Sequence, residues 1–464
     1  MNHAARKENA RMLASMLGLD EAAAAEKLNV EVLISHDPAD GAAAGLARQV
    51  TRLLKRSLSS VVTNAPAPTA VAELIIGNTA RQTNAAPVYL ARGSQSATIS
   101  PDPLPREVPG PMHAIGVQLC ACYAAAALFR TALPQIPSLP AFRGIKFDLI
   151  EWTDGQLHLL DEPIDLGRAY LAGAGAVGNG LAIGLACFPK LRGTLVVCDD
   201  DHVTDGNMQR CDLFEAKHLN APKAEVLVAA LKLSNPSLES IPFNARLQSQ
   251  PDKTSVPDGK WLKTLITGVD SRRARRELQM EIPGAVFDAS TTGAIETVFH
   301  HHQQPTEKAC LACIYHESAR EDAHEQHVAE TLGIPVAFVK ESRVSPVAAE
   351  LICAKHPQLD KAALVEMAYD TLFKQLCGTT EWKSDSGKQV VTPFAFVSTF
   401  AGLVLAIEFV LRSAGVNRGF NEWKLSPWAS PVMRRRREQE RNPECVFCSN
   451  TILRQVAQDM WQPR

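Results

Sequence analysis

The sequence predicts an α/β protein whose main domain is a doubly wound parallel sheet, accompanied by a helical insert and a structural zinc knuckle. Short apolar strands alternate with helices between residues 141 and 300, and this alternation is typical of a parallel sheet covered by helices. A glycine-rich turn at Gly173 directly follows one of those strands. Two Cys-x-x-Cys pairs come later, beginning at Cys310 and Cys445.

Size and composition narrow the possible functions. The 464 residues exceed what one core usually supports, so two or three domains are expected, and a formal charge of -2 gives no reason to predict a nucleic-acid partner. Residues 1–7 lead into charged, helix-type sequence, so we predict no secretory signal. Eleven cysteines in such a chain indicate the reducing cytoplasm, where thiols serve metals or catalysis more often than disulfides.

Residues 1–134 predict an N-terminal α/β domain. Its predicted helices are 21–27, 42–58 and 114–133. Its predicted strands are 30–33, 73–76 and 88–91. No glycine-rich phosphate loop follows these strands, so the hypothesis that this domain is a degenerate copy of the next one rests on strand spacing alone. The proline-rich segment 134–140 is stiff and poorly helical, and it predicts a domain boundary.

Residues 141–309 predict a nucleotide-binding domain. Its predicted strands are 169–172, 194–198, 263–267 and 285–287. The Rossmann-like loop Gly173-Ala174-Gly175-Ala176-Val177-Gly178 joins the first strand to a helix, where glycines let backbone amides approach a phosphate. Asp199 lies 21 residues after Gly178 at a strand end, where a carboxylate can accept hydrogen bonds from ribose hydroxyls. These features suit NAD as well as ATP.

Residues 310–448 predict a helical insert between the two cysteine pairs, followed by a tail, 449–464. Its predicted helices are 321–332, 347–355, 362–376 and 393–412, with a polar loop at 378–389. The last helix is very apolar, but Ser398, Thr399 and Glu408 interrupt it. We therefore predict a buried helix and no membrane span.

The segment that begins at Asp199 favours ATP over NAD as the nucleotide. It reads Asp199-Asp200-Asp201, then Asn207-Met208-Gln209-Arg210, then Pro222-Lys223. This order resembles the ThiF/MoeB family of adenylating enzymes, which includes ubiquitin-activating enzymes and carries Asp-x-Asp, Asn-Leu-x-Arg and a later Pro-Lys. The resemblance is close over residues 169–293 and extends through the cysteine pairs to the end of the chain.

The resemblance implies a site for ATP and Mg²⁺. The implied cofactor-binding residues are Gly173, Gly175, Gly178, Asp199, Asp201, Asn207, Arg210, Lys223 and Asp270. Asp199 would hold the ribose, Asn207 and Arg210 would contact the triphosphate, and Lys223 would neutralise it. Attack of a carboxylate on the α-phosphate brings two anions together, so fixed cations and a metal are needed. The implied catalytic residues are therefore Arg210, Lys223 and Asp270, together with Cys377.

Two features depart from the family pattern. Ser271 follows the magnesium aspartate Asp270, where the family usually has asparagine. The arginine-rich segment that many members place before the nucleotide domain is also absent, so the missing cation would come from Arg143 or from the first domain. Arg275 either braces the Asp270 loop or belongs, with its arginine neighbours, to a solvated face.

The four cysteines of the two Cys-x-x-Cys pairs predict a zinc site. They are Cys310, Cys313, Cys445 and Cys448, and 131 residues separate the pairs. Four thiolates suit tetrahedral zinc and leave no open position for water, so the ion would be structural.

Cys377 is the predicted nucleophile. It ends a predicted helix before Gly378 and two threonines, and thioester-forming members of the family carry their cysteine on a comparable crossover loop. A thiolate accepts an acyl group from an acyl adenylate and is a good leaving group afterwards. Cys353 lies in an apolar helical run and predicts a buried, inert thiol. The run His300 to His302 is interpreted as a polar loop.

The sequence therefore predicts an activating enzyme for a ubiquitin-like protein with a C-terminal glycine, which passes the acyl group to a ubiquitin-conjugating-type enzyme. By analogy, such a system would serve bacterial antiviral defence. The resemblance implies a homodimer, and internal pairing with residues 1–134 is the alternative. Three other functions stay open: activation of a sulfur carrier or peptide without a thioester, an NAD-dependent oxidoreductase, and a non-catalytic scaffold.

Overall fold

The computed structural model describes residues 3–105, 110–136, 139–317, 319–341, 343–365, 367, 369, 372–373, 393–432 and 435–462. The chain divides into two compact units, a larger one from residues 1–316 and 392–464 and a smaller one from residues 317–391. The larger unit contains both predicted α/β regions, each with its own sheet. The predicted domain limits at 134 and 141 stay a prediction.

The described strands, in chain order, are β1 (Glu31–His36), β2 (Ser60–Thr63), β3 (Ala70–Ile76), β4 (Ala86–Arg92), β5 (Ser96–Ser100), β6 (Ile145–Asp148), β7 (Ile164–Ala172), β8 (Leu191–Cys198), β9 (Glu239–Phe243), β10 (Thr264–Thr267), β11 (Ala285–Thr292), β12 (Glu296–Gln303), β13 (Glu422–Leu425) and β14 (Arg436–Arg437).

The described α-helices, in chain order, are α1 (His3–Leu17), α2 (Glu21–Lys27), α3 (Gly41–Leu54), α4 (Ala114–Ala132), α5 (Leu149–Trp152), α6 (Ala176–Leu185), α7 (Lys223–Ser234), α8 (Asp252–Ser255), α9 (Arg272–Met280), α10 (Leu311–Ile314), α11 (Ala319–Leu332), α12 (Val336–Lys340), α13 (Pro346–Lys355), α14 (Lys361–Leu364), α15 (Ala395–Ser413) and α16 (Thr451–Trp461).

The second sheet confirms the predicted fold class. Its order is β14-β13-β12-β11-β10-β7-β8-β9. The five strands β11, β10, β7, β8 and β9 run parallel to one another. Strand order reverses between β7 and β10, and open α/β sheets bind ligands outside the carboxyl ends of strands at such a switch point. The glycine loop follows β7 and Asp270 follows β10, so both lie at this point.

The first sheet has an order that the second sheet repeats. Its order is β2-β1-β3-β4-β5-β6, with β1 to β4 parallel and the last two strands antiparallel. The strands β8-β7-β10-β11-β12-β13 follow the same sequence of crossovers. In each sheet a helix follows the second strand of this shared order, α3 after β1 and α6 after β7, and a long apolar helix precedes the sixth, α4 before β6 and α15 before β13.

Close helix packing joins the two sheets. A Cβ on Gly402 of α15 would lie 2.3 Å from the carbonyl carbon of Gly180 in α6, so only glycine allows these helix backbones to touch. Helix α15 also packs against α4, where the rings of Tyr123 and Phe400 lie 5.2 Å apart. Helices α4 and α15 are long and apolar enough to span a membrane. However, 72% of the most apolar stretch of α4 and 94% of that of α15 are buried inside the protein. The prediction of a buried helix at 393–412 is confirmed.

The smaller unit is helical, with α11 to α14 around an apolar core. Its fully buried members include Leu332, Ile352 and Leu372. Gly333, at a φ of +74°, ends α11 in the left-handed conformation that glycine adopts at low cost. The predicted loop at 378–389 and the end of the predicted helix 362–376 lie outside the described residues.

The interpretation of His300 to His302 as a polar loop is wrong. All three histidines belong to β12, which pairs with β11 on one side and β13 on the other. His300 is fully buried, and burial lowers its pKa to about 4. Its Nε2 lies 3.2 Å from Nδ1 of His302. A neutral imidazole can be buried at lower cost than a charged one, because it has no charge to desolvate.

Candidate functional site

The glycine loop between β7 and α6 is shaped by close backbone contacts. Gly173 has a φ of +98°, and a Cβ there would lie 2.9 Å from the carbonyl carbon of Gly268. A Cβ on Gly178 would lie 2.5 Å from the Gly173 oxygen. Gly175 is the N-cap of α6 and has open space where a side chain would be. The helix therefore presents uncovered amides and its positive dipole end, which suit a phosphate.

Asp199 lies beside this loop at the end of β8. Its Oδ2 accepts a hydrogen bond from the Ala174 amide at 2.6 Å, and its Oδ1 accepts one from the Asp201 amide at 2.9 Å. Burial raises the pKa of Asp199 to about 6, although Lys223 acts in the opposite direction. The carboxylate is thus held next to the glycine loop, and its role as a ribose ligand stays a prediction.

Nucleoside affinity is expected to fall as the pH drops through about 6. Above this pKa Asp199 is ionised and can accept hydrogen bonds from ribose hydroxyls, whereas below it the carboxyl is protonated. Calorimetric titration with adenosine, which carries no titrating phosphate, should give about tenfold weaker binding at pH 5 than at pH 7. The variant Asp199→Asn should bind adenosine weakly, with the same affinity at both pH values. A flat wild-type profile would contradict this role.

Lys223 begins α7 and points its charge at the same acidic segment. Its side chain is buried, and its Nζ lies 2.8 Å from Oδ2 of Asp201. Burial alone would lower the pKa of Lys223, but the carboxylates of Asp199 and Asp201 outweigh it and raise the pKa. The ammonium group therefore stays charged at neutral pH and is available to a bound anion.

Asn207 and Arg210 follow in a short helical turn. Asn207 is nearly buried, and its Oδ1 accepts a hydrogen bond from the Thr204 amide at 2.8 Å. Arg210 donates from Nη1 to the Gly206 carbonyl at 3.3 Å. The loop that carries these residues begins after Asp201, so the acidic segment, Lys223 and the two predicted triphosphate residues belong to one continuous loop and the helix that follows it.

Asp270 is exposed in the loop after β10, and this loop touches the glycine loop through Gly268. The side chain of Ser271 caps α9 by accepting a hydrogen bond from the Ala274 amide at 3.3 Å. Serine and asparagine are both favoured N-caps, so Ser271 can replace the asparagine of the family pattern at this helix start.

Arg275 does not belong to a solvated face. It is buried, and its Nε donates to Oδ1 of Asp288 at 2.8 Å. The hydroxyls of Thr267 and Tyr315 donate to the same carboxylate. Asp288 therefore connects α9, which begins beside Asp270, to the strands and to the segment after α10. This arrangement favours the alternative in which Arg275 braces the Asp270 loop.

Asn179 is a structural member of the site that the sequence reasoning missed. It is fully buried, and its Nδ2 donates to the carbonyls of Ala174 and Gly175 at 3.0 and 2.9 Å. Its Oδ1 accepts a hydrogen bond from the Leu213 amide at 3.0 Å. A polar residue directly after the last glycine of the loop, in an otherwise apolar helix, was the available signal.

The four predicted zinc ligands come together. All four Sγ atoms lie within 4.8 Å of one another. The Sγ of Cys310 lies 3.7 Å from that of Cys313 and 3.7 Å from that of Cys445, and the Sγ of Cys313 lies 3.5 Å from that of Cys448. Zn–S bonds of about 2.3 Å place the sulfurs of a tetrahedral site about 3.8 Å apart. The donor set and its spacing therefore fit a structural zinc ion.

The remaining candidates lie elsewhere. Cys377 is outside the described residues. Cys353 is half-buried against the core of the smaller unit. Arg143 is exposed just before β6, at the edge of the first sheet. By contrast α1, which carries exposed Arg6 and Lys7, packs beside the turn that contains Asn207.

Relatives with known names share parts of this chain. A Sinorhizobium fredii protein named y4jF is 27% identical over 65% of the chain and 60% of its own length. The sulfur carrier protein ThiS adenylyltransferase of Escherichia coli is 28% identical over 35% of the chain and 61% of its own length. Human ubiquitin-like modifier-activating enzyme 7 is 34% identical over 39% of the chain and 18% of its own length. The chain thus spans about three fifths of the two bacterial relatives.

Among solved structures, Escherichia coli MccB with ATP aligns over 78% of this chain and 98% of its own, with 14% identity and a TM-score of 0.38. The model of the E1 N-terminal domain matches residues 1–145. The model of the ThiF family matches residues 153–447, which include the glycine loop, the acidic segment, Lys223 and Asp270. This chain belongs to the ThiF family.

Proposed function

We propose that the chain uses ATP and Mg²⁺ to adenylate the C-terminal carboxylate of a ubiquitin-like protein that ends in glycine. One observation carries the proposal: the glycine loop, Asp199 and the buried ammonium of Lys223 lie together at the switch point of the second sheet. A nucleotide bound there would have its ribose at Asp199 and its phosphates at the start of α6.

The proposed reaction needs cations more than it needs a base. A carboxylate oxygen of the partner attacks the α-phosphorus of ATP, the bond to the β-phosphate oxygen breaks, and pyrophosphate leaves. Lys223 and Arg210 supply fixed positive charge near the phosphates, and Lys223 is already protonated in its acidic surroundings. Mg²⁺ held near Asp270 would neutralise further triphosphate charge.

We also propose that the acyl group then moves to Cys377 and on to a ubiquitin-conjugating-type enzyme in the cytoplasm, as part of bacterial antiviral defence. In this step the thiolate attacks the acyl carbon, a thioester forms and AMP leaves. The family membership and the human relative named as a modifier-activating enzyme support a modifier as substrate.

Internal pairing of the two α/β regions is proposed in place of a homodimer. The repeated strand order and the packing of α4 on α15 support the first region as a degenerate adenylation unit. At the start of α3, where a phosphate would bind, the carboxylate of Asp40 instead accepts hydrogen bonds from the Ala42 and Ala43 amides at 2.9 Å. The first region would then supply α1, with Arg6 and Lys7, as the source of the additional cation.

A second candidate is activation of a sulfur carrier without a thioester, which the ThiS adenylyltransferase relative favours. The test uses purified protein, ATP, Mg²⁺ and the small glycine-terminated proteins encoded beside its gene. Wild type should form AMP and a reductant-sensitive adduct. Cys377→Ala should keep modifier-dependent pyrophosphate exchange and lose the adduct, whereas Cys353→Ala should keep both.

Each result of this test decides between the candidates. AMP formation with no adduct in wild type would favour the sulfur-carrier function. Absence of AMP would overturn adenylation altogether. Reduction of bound NAD by a substrate would instead establish the oxidoreductase, and nucleotide binding without either reaction would support the scaffold.

A further inference from the structure

A half-buried arginine of the first α/β region holds the segment that carries Arg210. Arg56, two residues after α3, donates from Nη1 to the Met208 carbonyl at 2.5 Å and from Nε to Oδ1 of Asp212 at 2.9 Å. Its Nη2 donates to the carbonyls of Asp212 and Phe214 at 2.6 and 3.2 Å. One guanidinium thus binds the backbone on both sides of Arg210.

The partner carboxylate makes this contact specific. The side chain of Asp212 is fully buried, and Arg52 Nη2 lies 3.0 Å from its second oxygen. A buried carboxylate is tolerated when cations and hydrogen bonds replace its lost hydration, and here the charges come from two arginines one helical turn apart. The pairing of Arg56 with Asp212 spans 156 residues of sequence.

Helix α1 supports the same contact from another side. The Nδ2 of Asn9 donates to the Arg56 carbonyl at 2.6 Å, and the Nε2 of Gln209 lies 3.9 Å from the Met12 sulfur. Ala5 packs in one apolar cluster with Met208, Cys211 and Phe214. The residues that flank Arg210 are therefore held by the first region.

The held segment is in turn connected to the glycine loop. The Leu213 amide, one residue after Asp212, donates to Asn179, which donates to the carbonyls of Ala174 and Gly175. A shift of the segment would therefore change two things at once: the place of the Arg210 guanidinium and its distance from the amides at the start of α6.

We propose that Arg56 is a positioning residue, which sets the place of Arg210 relative to the glycine loop through Asp212. The proposal rests on the function proposed above, and it gives residues 1–134 a direct part in ATP use. The first region would then control how tightly the second one binds a triphosphate, whereas Asp199, the proposed ribose ligand, is held by amides of the second region.

The test compares Arg56→Lys with Arg130→Lys. Arg130 in α4 makes similar bonds, to the carbonyls of Leu133 and Pro140 at 3.0 Å, but no contact with the Arg210 segment is described for it. Arg56→Lys should weaken ATP binding about tenfold, because a displaced Arg210 would lose a charged hydrogen bond to a phosphate, and one such bond typically accounts for that factor. Adenosine binding should be unchanged, and Arg130→Lys should match wild type for both ligands.

A double-mutant cycle separates positioning from general destabilisation. In the Arg210→Ala background, Arg56→Lys should weaken ATP binding by less than about twofold, because the group that it positions is gone. Equal losses of ATP and adenosine affinity, full additivity with Arg210→Ala, or no difference from Arg130→Lys would each overturn the proposal. These binding data still test the role of Arg56 if wild type forms no AMP. That result would overturn the proposed adenylation but not the positioning role.

Discussion

Replacing Lys223 by alanine is expected to slow AMP formation by about 100- to 1000-fold, the loss typical of a fixed charge that stabilises a transition state. Lys223 is buried and ion-paired with Asp201, so its charge is fixed in place. Its removal also leaves the carboxylates of Asp199 and Asp201 uncompensated beside the incoming triphosphate. Single-turnover formation of labelled AMP from α-labelled ATP measures the effect.

The matched control for Lys223 is Lys232→Ala on the same helix. Lys232 is exposed in the last turn of α7, far along the helix from the site, and should keep activity within about twofold of wild type. Lys223→Arg should retain more activity than Lys223→Ala because the charge remains. If Lys223→Ala kept more than a third of wild-type activity, Lys223 would have no part in the chemistry.

The local signals of this chain predicted the strands, the glycine turn and the strand-end carboxylate that form the candidate site. Apolar strands of four to nine residues, the glycine turn after β7 and an acidic residue at the next strand end are all readable within short windows. The structure brings the glycine loop and Asp199 together because the carboxyl ends of parallel strands share one edge of the sheet, and the loop 202–222 returns the chain so that Lys223 meets Asp201. The roles of these residues remain predictions that the experiments above address.

Long-range contacts were beyond the sequence reasoning. Nothing near Arg56 indicates that its partner is Asp212, since only the docking of α3 against the second region creates the pair. The histidine run was misjudged for a related reason. Three consecutive imidazoles are hydrophilic by composition, but strand pairing on both sides of β12 and contact with α15 bury His300 and His302.

Zinc removal is the second change with a large expected effect. Wild type should contain one zinc ion per chain, and Cys448→Ser should lose it, because three thiolates and a hydroxyl bind zinc poorly at neutral pH. The ion would join residues that lie 135 positions apart in sequence, so its loss should free the knuckle and α16. We expect the free energy of unfolding to fall by roughly 5 kcal/mol or more. The fall should be smaller than the ~10–16 kcal/mol that zinc contributes in zinc-finger peptides.

Hydrogen exchange should locate this effect. The contacts of α16 with the second region include the hydrogen bond from Trp461 Nε1 to the Ile282 carbonyl at 2.9 Å, so amides of α16 and of the loop after α9 should exchange faster in Cys448→Ser. Cys353→Ser, which changes a half-buried thiol of the smaller unit, should keep its zinc and its exchange pattern. A full zinc content in Cys448→Ser would show that the four thiolates are not the ligand set, and unchanged exchange in a zinc-free variant would show that the ion does not hold α16 in place.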